Sequence, residues 1–191
     1  MNDANYWKDP KNESAYGEKD WRNADAKVNL VMEIIRQATG KVCGKVGFGA
    51  TSTEFIDGTA ASHGYKKGGA DLQVEETNIF IEVTGPNVNW VSKDAALWVR
   101  PDKLQTACDD SENITWIVHV LPTKDLPVIR VIQCSKELCE RFRSGGFKID
   151  EPRIKGRIER YVSFPANDKC VQDFSVLIDE IKKFGTPTQN K

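Results

Sequence analysis

The sequence predicts a mixed α/β domain, a central sheet with helices on both sides. Three patterns predict it. Residues 24–39 repeat their apolar positions at helical spacing. Short apolar segments at 71–74 and 78–83 read as the arms of a hairpin. Residues 114–121 (ITWIVHVL) form a nearly continuous apolar strand of the kind buried on both faces.

Taken in order, residues 1–23 are polar, broken by Pro10 and Gly17, and read as an irregular arm with scattered aromatics. A single domain then covers 24–185, and 186–191 is a polar tail. From Ala24 to Thr39, Val28, Val31, Met32 and Ile35 line one helical face; Asn23 or Asp25 caps it and Gly40 stops it. Strand candidates follow at 41–49 and 51–56. Residues 60–69 (AASHGYKKGG) form a loop. A tight turn at Glu75–Asn78 joins the hairpin arms, and Gly85-Pro86-Asn87 ends the second arm. Residues 92–110 are expected to be helical, with Pro101 at the first position of a helix. After the buried strand come a strand at 128–134, a helix capped by Ser135 and an extended charged stretch at 147–164. The last helix covers 170–184.

The chain has 191 residues, enough for one domain with its own core. It is 39% apolar, which excludes disorder over its whole length. With 27 basic and 28 acidic residues the net charge is -1, which excludes a globally basic nucleic-acid coat but not a nucleic-acid enzyme. No stretch has the length and apolarity of a signal peptide or a spanning helix. The five cysteines (Cys43, Cys108, Cys134, Cys139, Cys170) form no CxxC, so the expectation is reduced thiols in a cytoplasmic protein. Without an export signal, the sequons at Asn12 and Asn113 read as chance. There is no P-loop, no GxGxxG and no GxSxG, and two distant histidines give no triad. His119 reads as a satisfied core residue and His63 as a loop residue.

The informative segment is 66–86, KKGGADLQVEETNIFIEVTGP. Asp71 opens one arm of the hairpin and Glu82 nears the end of the other, so the two carboxylates converge. Anions brought together at an apolar sheet edge repel and are costly to desolvate, and a divalent cation relieves both costs. Carboxylate, carbonyl and water oxygens suit Mg²⁺, with Mn²⁺ as a substitute, rather than zinc. Alternation puts Glu82 and Thr84 on one face, and the Val83 carbonyl is a third candidate ligand. Such a metal would polarise a phosphoryl oxygen and activate water.

This arrangement resembles the PD-(D/E)XK nuclease superfamily, the restriction-endonuclease-like fold. Ala70-Asp71 stands for its Pro-Asp element and Glu82-Val83-Thr84 for its Glu-x-Lys element, and the order helix, hairpin, helix, buried strand matches from Ala24 to about Cys134. The departure is Thr84 in place of the usual Lys. Some members recruit a lysine from a neighbouring helix, and Lys103 in the segment 100–105 (RPDKLQ) is placed for that, with Gln105 and Lys93 as further candidates. Many members add an acid from the first helix. Glu33 is the nominal match, although it falls opposite the apolar stripe, and Glu18 is the alternative. The resemblance implies a Mg²⁺-dependent endonuclease acting on double-stranded DNA, of type II restriction-enzyme kind, working as a homodimer. Asp71, Glu82, Lys103 and Thr84 would be its catalytic set, and Lys66, Lys67, Arg100 and Gln105 its nucleic-acid contacts. The alternatives are a catalytically degenerate nucleic-acid-binding module of the same fold, or a resolvase or RNA-directed phosphodiesterase. The basic residues from Arg141 to Arg160 read equally as a stripe following phosphates or as a solvated face. Trp90 and Trp98 flank the site in sequence and could stack on bases, but read better as core.

Overall fold

The computed structural model describes residues 18–46, 70–154 and 157–184. Helix α1 (Glu18–Thr39) leads to β1 (Cys43–Lys45), followed by β2 (Leu72–Val74), β3 (Ile79–Thr84), β4 (Leu97–Val99), α2 (Pro101–Asp109), β5 (Ile114–Leu121) and β6 (Val128–Gln133). Next come α3 (Lys136–Arg143), β7 (Lys148–Asp150), β8 (Arg153–Ile154), β9 (Arg157–Ile158), β10 (Tyr161–Phe164), β11 (Val171–Asp173) and α4 (Phe174–Lys183). The main sheet has six strands in the order β1-β2-β3-β5-β6-β11, antiparallel except for the β3–β5 pair. A second sheet of three strands, β4-β10-β7, packs beside it, and β8 pairs with β9. The mixed α/β class with helices on both faces is therefore the observed one.

Strand alternation divides the core in two. On one face Ile79 and Ile81, with Trp116, Val118 and Val120 of β5, pack under Val31 and Ile35 of α1 and Leu177, Ile178 and Ile181 of α4. On the other, Ile117, Leu121 and Ile132 pack under Leu104 of α2, Leu138 of α3 and the inner side of the small sheet, Leu97, Val99, Val162 and Phe164. Each large side chain fully buried this way contributes about 1.5–3 kcal/mol of transfer free energy. Glu82 lies on the second face, under α2.

Several boundaries differ from expectation. Helix α1 starts before Ala24, so Asn23 and Asp25 lie inside it rather than capping it; Asp25 instead pairs with Lys45 of β1 at 2.7 Å. Gly40, at φ 73°, does end the helix, donating to the Arg36 carbonyl at 2.9 Å. The expected helix at 92–110 shrinks to α2. Residues 92–95 make a turn closed by Ala95 N–H to the Ser92 carbonyl at 3.1 Å, and 97–99 form a strand whose partner, β10, is distant in sequence. The expected start of the last helix likewise pairs with β6 as β11, and helix begins only at Phe174. The strand expected at 41–49 is short, and that expected at 51–56 lies outside the described residues. Ser135 caps α3 as expected, its hydroxyl accepting from Leu138 N–H at 3.3 Å.

The cysteines also depart from expectation. Cys108 at the end of α2 and Cys139 in α3 form a disulfide, with Cα atoms 5.4 Å apart, while Cys43, Cys134 and Cys170 are free thiols. Both partners face the same core layer. Pairings made by helix packing leave no spacing signature in the sequence.

The exit from β3 is fixed from two sides. Lys27 of α1 donates to the Gly85 carbonyl at 2.8 Å, the Pro86 carbonyl at 3.1 Å and Asn87 Oδ1 at 2.9 Å. Gly85 has φ 146° and lies so close to β5 that a β-carbon there would overlap the Val120 carbonyl oxygen. Gly85→Ala is therefore expected to destabilise the fold by at least about 2 kcal/mol, read from the urea midpoint. A midpoint equal to the wild type's would contradict this packing.

Candidate functional site

The hairpin register pairs Leu72 with Ile81 and Gln73 with Phe80, and one further step sets Asp71 across from Glu82. The main chain of Asp71 is held on both sides: its N–H donates to the Ile81 carbonyl at 2.9 Å, and its carbonyl accepts from Val46 N–H at 2.9 Å. β2 ends here, and the Asp71 side chain continues the ladder by accepting from Val83 N–H through Oδ2 at 2.8 Å. The N–H and C=O of one strand residue point to the same edge, so the Val83 carbonyl is directed toward the edge that carries the Asp71 carboxylate.

Lys103 reaches this point from α2. Its Nζ lies 3.0 Å from Glu82 Oε2, with side-chain exposures of 25% and 14%, so the pair is enclosed but still open to solvent. The neighbouring residue explains the aim: Leu104, with Ala107 and Cys108, is buried against the sheet and turns Lys103 to the flank over β3. The end of the helix is fixed by the Cys108–Cys139 disulfide and by Arg143, which donates to the Cys108 carbonyl at 2.6 Å.

The electrostatics follow from crowding. Burial pushes the Glu82 carboxyl up to about 8, and the Asp71 anion adds to the push, while Lys103 and Arg100 oppose it. Burial also raises Asp71, against the pull of Lys103 and the hydrogen bond from Val83. For Lys103 burial works downward, but Glu82 and Asp71 together outweigh it and raise its pKa. Two carboxylates and one ammonium leave the fully ionised group one negative charge in excess.

A hard divalent cation fits this donor set. Among the described residues no cluster of three or more His, Cys, Asp and Glu side chains that could hold a metal ion occurs, so a cation here would have only Asp71, Glu82, the Val83 carbonyl and water to bind. All are oxygens, suited to Mg²⁺ or Mn²⁺ and not to zinc.

The other candidates divide. Thr84 shares the Glu82 face and lies beside His119 in the β3–β5 register. Arg100 pairs with Asp102 at 2.7 Å and is near enough to Glu82 to lower its pKa. Gln105 is exposed and donates to Asp109, away from the carboxylates, and Lys93 is exposed in the 92–95 turn. Glu33 is not part of the site: it is exposed, and Arg36 and Gln37 hold its carboxyl down at about 2. Glu18 only opens α1. Lys66, Lys67 and His63 lie outside the described residues.

The stretch from Arg141 to Arg160 is not a bare basic stripe. Arg141 pairs with Asp168, Arg143 with Asp109, Lys148 with Asp150 and Arg160 with Glu151. His119 is a core residue, as expected. Burial holds its pKa down to about 4, its Nε2–H donates to the Trp98 carbonyl at 3.0 Å, and its buried Nδ1 has no hydrogen-bond partner.

Sequence reasoning missed Cys134, whose thiol is pushed up to about 12 by burial and then by the nearby Glu82 anion. That proximity comes from the strand order β3-β5-β6 and has no local signal. It also misplaced two tryptophans: Trp98 is 38% and Trp90 55% exposed. The alternation of Leu97, Trp98 and Val99 carried a signal for the first, since flanking residues buried on one face require the middle one to face outward. Compared with models of protein families, with curated proteins and with solved structures, the chain finds no match.

The raised Glu82 pKa makes stability fall with pH. Between the ordinary glutamate value and about 8, the folded chain holds a proton that the unfolded chain has released, so each step up in pH favours unfolding. Glu82→Gln removes this term. Without divalent metal, the Tm of the variant relative to wild type is expected to climb by several degrees from about pH 5 to about pH 8. A difference that stays flat would mean that Glu82 titrates as an ordinary glutamate.

Proposed function

We propose that the chain is a Mg²⁺-dependent endonuclease that hydrolyses DNA phosphodiester bonds, with Asp71, Glu82 and Lys103 as its working side chains. The observation that carries this reading is the meeting of Lys103 with Glu82 at 3.0 Å, across from Asp71. The lysine missing from position 84 is replaced by one delivered from the next helix. Two acids and a lysine at one sheet edge are the functional core of the PD-(D/E)XK resemblance.

In this reading Asp71, Glu82 and the Val83 carbonyl hold the cation, which when bound polarises a phosphoryl oxygen and makes water a stronger nucleophile. Lys103 orients the attacking water or stabilises negative charge gathering on the phosphorus oxygens. Glu82 must be ionised to do its part, so activity rises with pH as its proton leaves. Thr84 keeps a supporting place beside Glu82. Cutting both strands requires two such sites, and a homodimer of type II restriction-enzyme kind supplies them by symmetry.

The second reading is a nuclease-fold module that binds nucleic acid without cutting it. It is favoured by the ion pair itself, because Lys103 already offsets part of the carboxylate charge without a metal.

Supercoiled plasmid incubated with Mg²⁺ or Mn²⁺ separates the two readings. Cutting is expected with wild type and abolished by Glu82→Ala. Lys103→Met is expected to slow it by roughly a hundred- to a thousandfold while leaving divalent-metal binding intact. Linear product would support the dimer and nicked circle a single site. Absence of cutting with either metal, together with DNA binding by gel shift, would replace the enzyme reading with the binding module.

A further inference from the structure

Trp98 is placed against the usual economy of a strand. Its neighbours Leu97 and Val99 are 1% and 2% exposed, whereas Trp98 faces outward and is 38% exposed. A large aromatic ring in solvent is ordinarily mobile and uncommitted, but this one is fixed at three points. Its main-chain carbonyl accepts from His119 Nε2–H at 3.0 Å. Its indole Nε1–H crosses the small sheet to Asp150 Oδ2 at 3.0 Å. Its ring stacks with that of Tyr161, with centroids 5.5 Å apart and planes 21° apart. Tyr161 is fixed in turn by donating its hydroxyl to Glu159. The main chain and the indole N–H are both committed, so much of what remains exposed is aromatic carbon.

This plate is joined to the carboxylates through Arg100. Arg100 is two residues beyond Trp98, in extended backbone (φ -63°, ψ 135°), and so projects to the same side. It lies close enough to Glu82 to act on its charge, and Lys103 follows within the next turn. The sequence WVRPDK thus runs from an exposed aromatic, through an arginine, to the site lysine. Around the plate, Lys148 and Arg160 are exposed but paired with Asp150 and Glu151, so the choice of occupant rests on the bare aromatic face and on Arg100.

We propose that Trp98 and Tyr161 form a stacking platform for an unpaired nucleobase of the substrate. The chain then acts on nucleic acid that is single-stranded or opened beside the phosphodiester it cuts. This rests on the nuclease reading above and narrows its substrate. Every base offers a π-face, so stacking of this kind gives affinity without sequence preference, while paired bases inside a duplex cannot reach the ring. Arg100 would meet the phosphate between the stacked base and the carboxylates.

The test measures binding rather than cutting. A fluorescein-labelled oligothymidylate and a hairpin duplex of similar length are titrated with the full chain in EDTA, with anisotropy as the readout. Trp98→Ala is expected to weaken oligothymidylate binding by about ten- to a hundredfold and to change duplex binding by less than about twofold. Trp98→Phe, which keeps a ring, should stay within about threefold of wild type. Trp98→Leu, which keeps apolar bulk without a π-face, should follow Trp98→Ala and carries the test if the alanine variant does not fold. The proposal is overturned if wild type does not bind oligothymidylate, if Trp98→Leu binds it as wild type does, or if both probes weaken equally. The two readings fail separately. Ring-dependent binding without cutting of either plasmid or the oligothymidylate in Mg²⁺ or Mn²⁺ would sink the nuclease and keep the platform, and cutting without ring-dependent binding would do the reverse.

Discussion

Two carboxylates facing each other across one step of a hairpin register are the constraint around which the rest of the site is arranged. Asp71 and Glu82 cannot both ionise cheaply at the edge of an apolar sheet, because each loses water and the Asp71 anion raises Glu82 further. A fold that keeps such a pair must bring a compensating charge, and this one brings Lys103. Removing one partner of a largely desolvated ion pair typically costs a few kcal/mol, since the remaining charge is left uncompensated. Placing the lysine is therefore a folding requirement, and under the proposed nuclease reading a functional one as well. The hydrophobic contacts of α2, the disulfide at its end and the Arg143 cap on Cys108 all serve to hold one ammonium in place.

The sheet makes that placement possible by using its two faces for different work. Ile79 and Ile81 face α1 and α4 in an apolar layer, while Phe80, Glu82 and Thr84 face the other way. On that second side helix α2 and the small sheet form a covering that is partly apolar and partly polar. His119 belongs to it. Standing on β5 beside Thr84, it donates its Nε2–H to the Trp98 carbonyl and so attaches β4 to the main sheet just before the chain enters α2. The buried neutral imidazole is thus part of the scaffold that aims Lys103. Its low pKa keeps that attachment in the neutral form through the physiological range.

The sequence made the site more legible than the boundaries around it. Asp71, Glu82 and the connecting turn were readable because a short hairpin is local: alternation, turn chemistry and two acids at matching ends settle the register. Lys103 was readable because Pro101 marks the start of a helix. What failed was long-range. Leu97–Val99 and Val171–Asp173 are three-residue strands whose partners are remote in sequence, and they are too short for alternation alone to set them apart from helix. The Cys108–Cys139 pairing and the nearness of Cys134 to Glu82 are likewise products of packing. The basic segment stayed open between two readings for another reason: Asp109 and Asp168, the partners of Arg143 and Arg141, lie outside it in sequence.

If the proposed nuclease reading holds, a helix lysine stands in for the strand lysine of that pattern, and the structure suggests what suits position 84 instead. A lysine at position 84 would approach Glu82 along the strand, from two residues away on the same face, and its stem would run over the space beside His119. That space is used here to attach β4. A small β-branched Thr84 suits the strand and leaves the imidazole its bond to Trp98. The ammonium then has to come from above the sheet, and the first turn of α2 is the part of the chain that the His119–Trp98 contact brings there. Thr84, His119 and Lys103 are in this sense one arrangement. The residue that departs from the nuclease pattern, the buried histidine without catalytic geometry and the lysine on the helix each make sense in the presence of the other two.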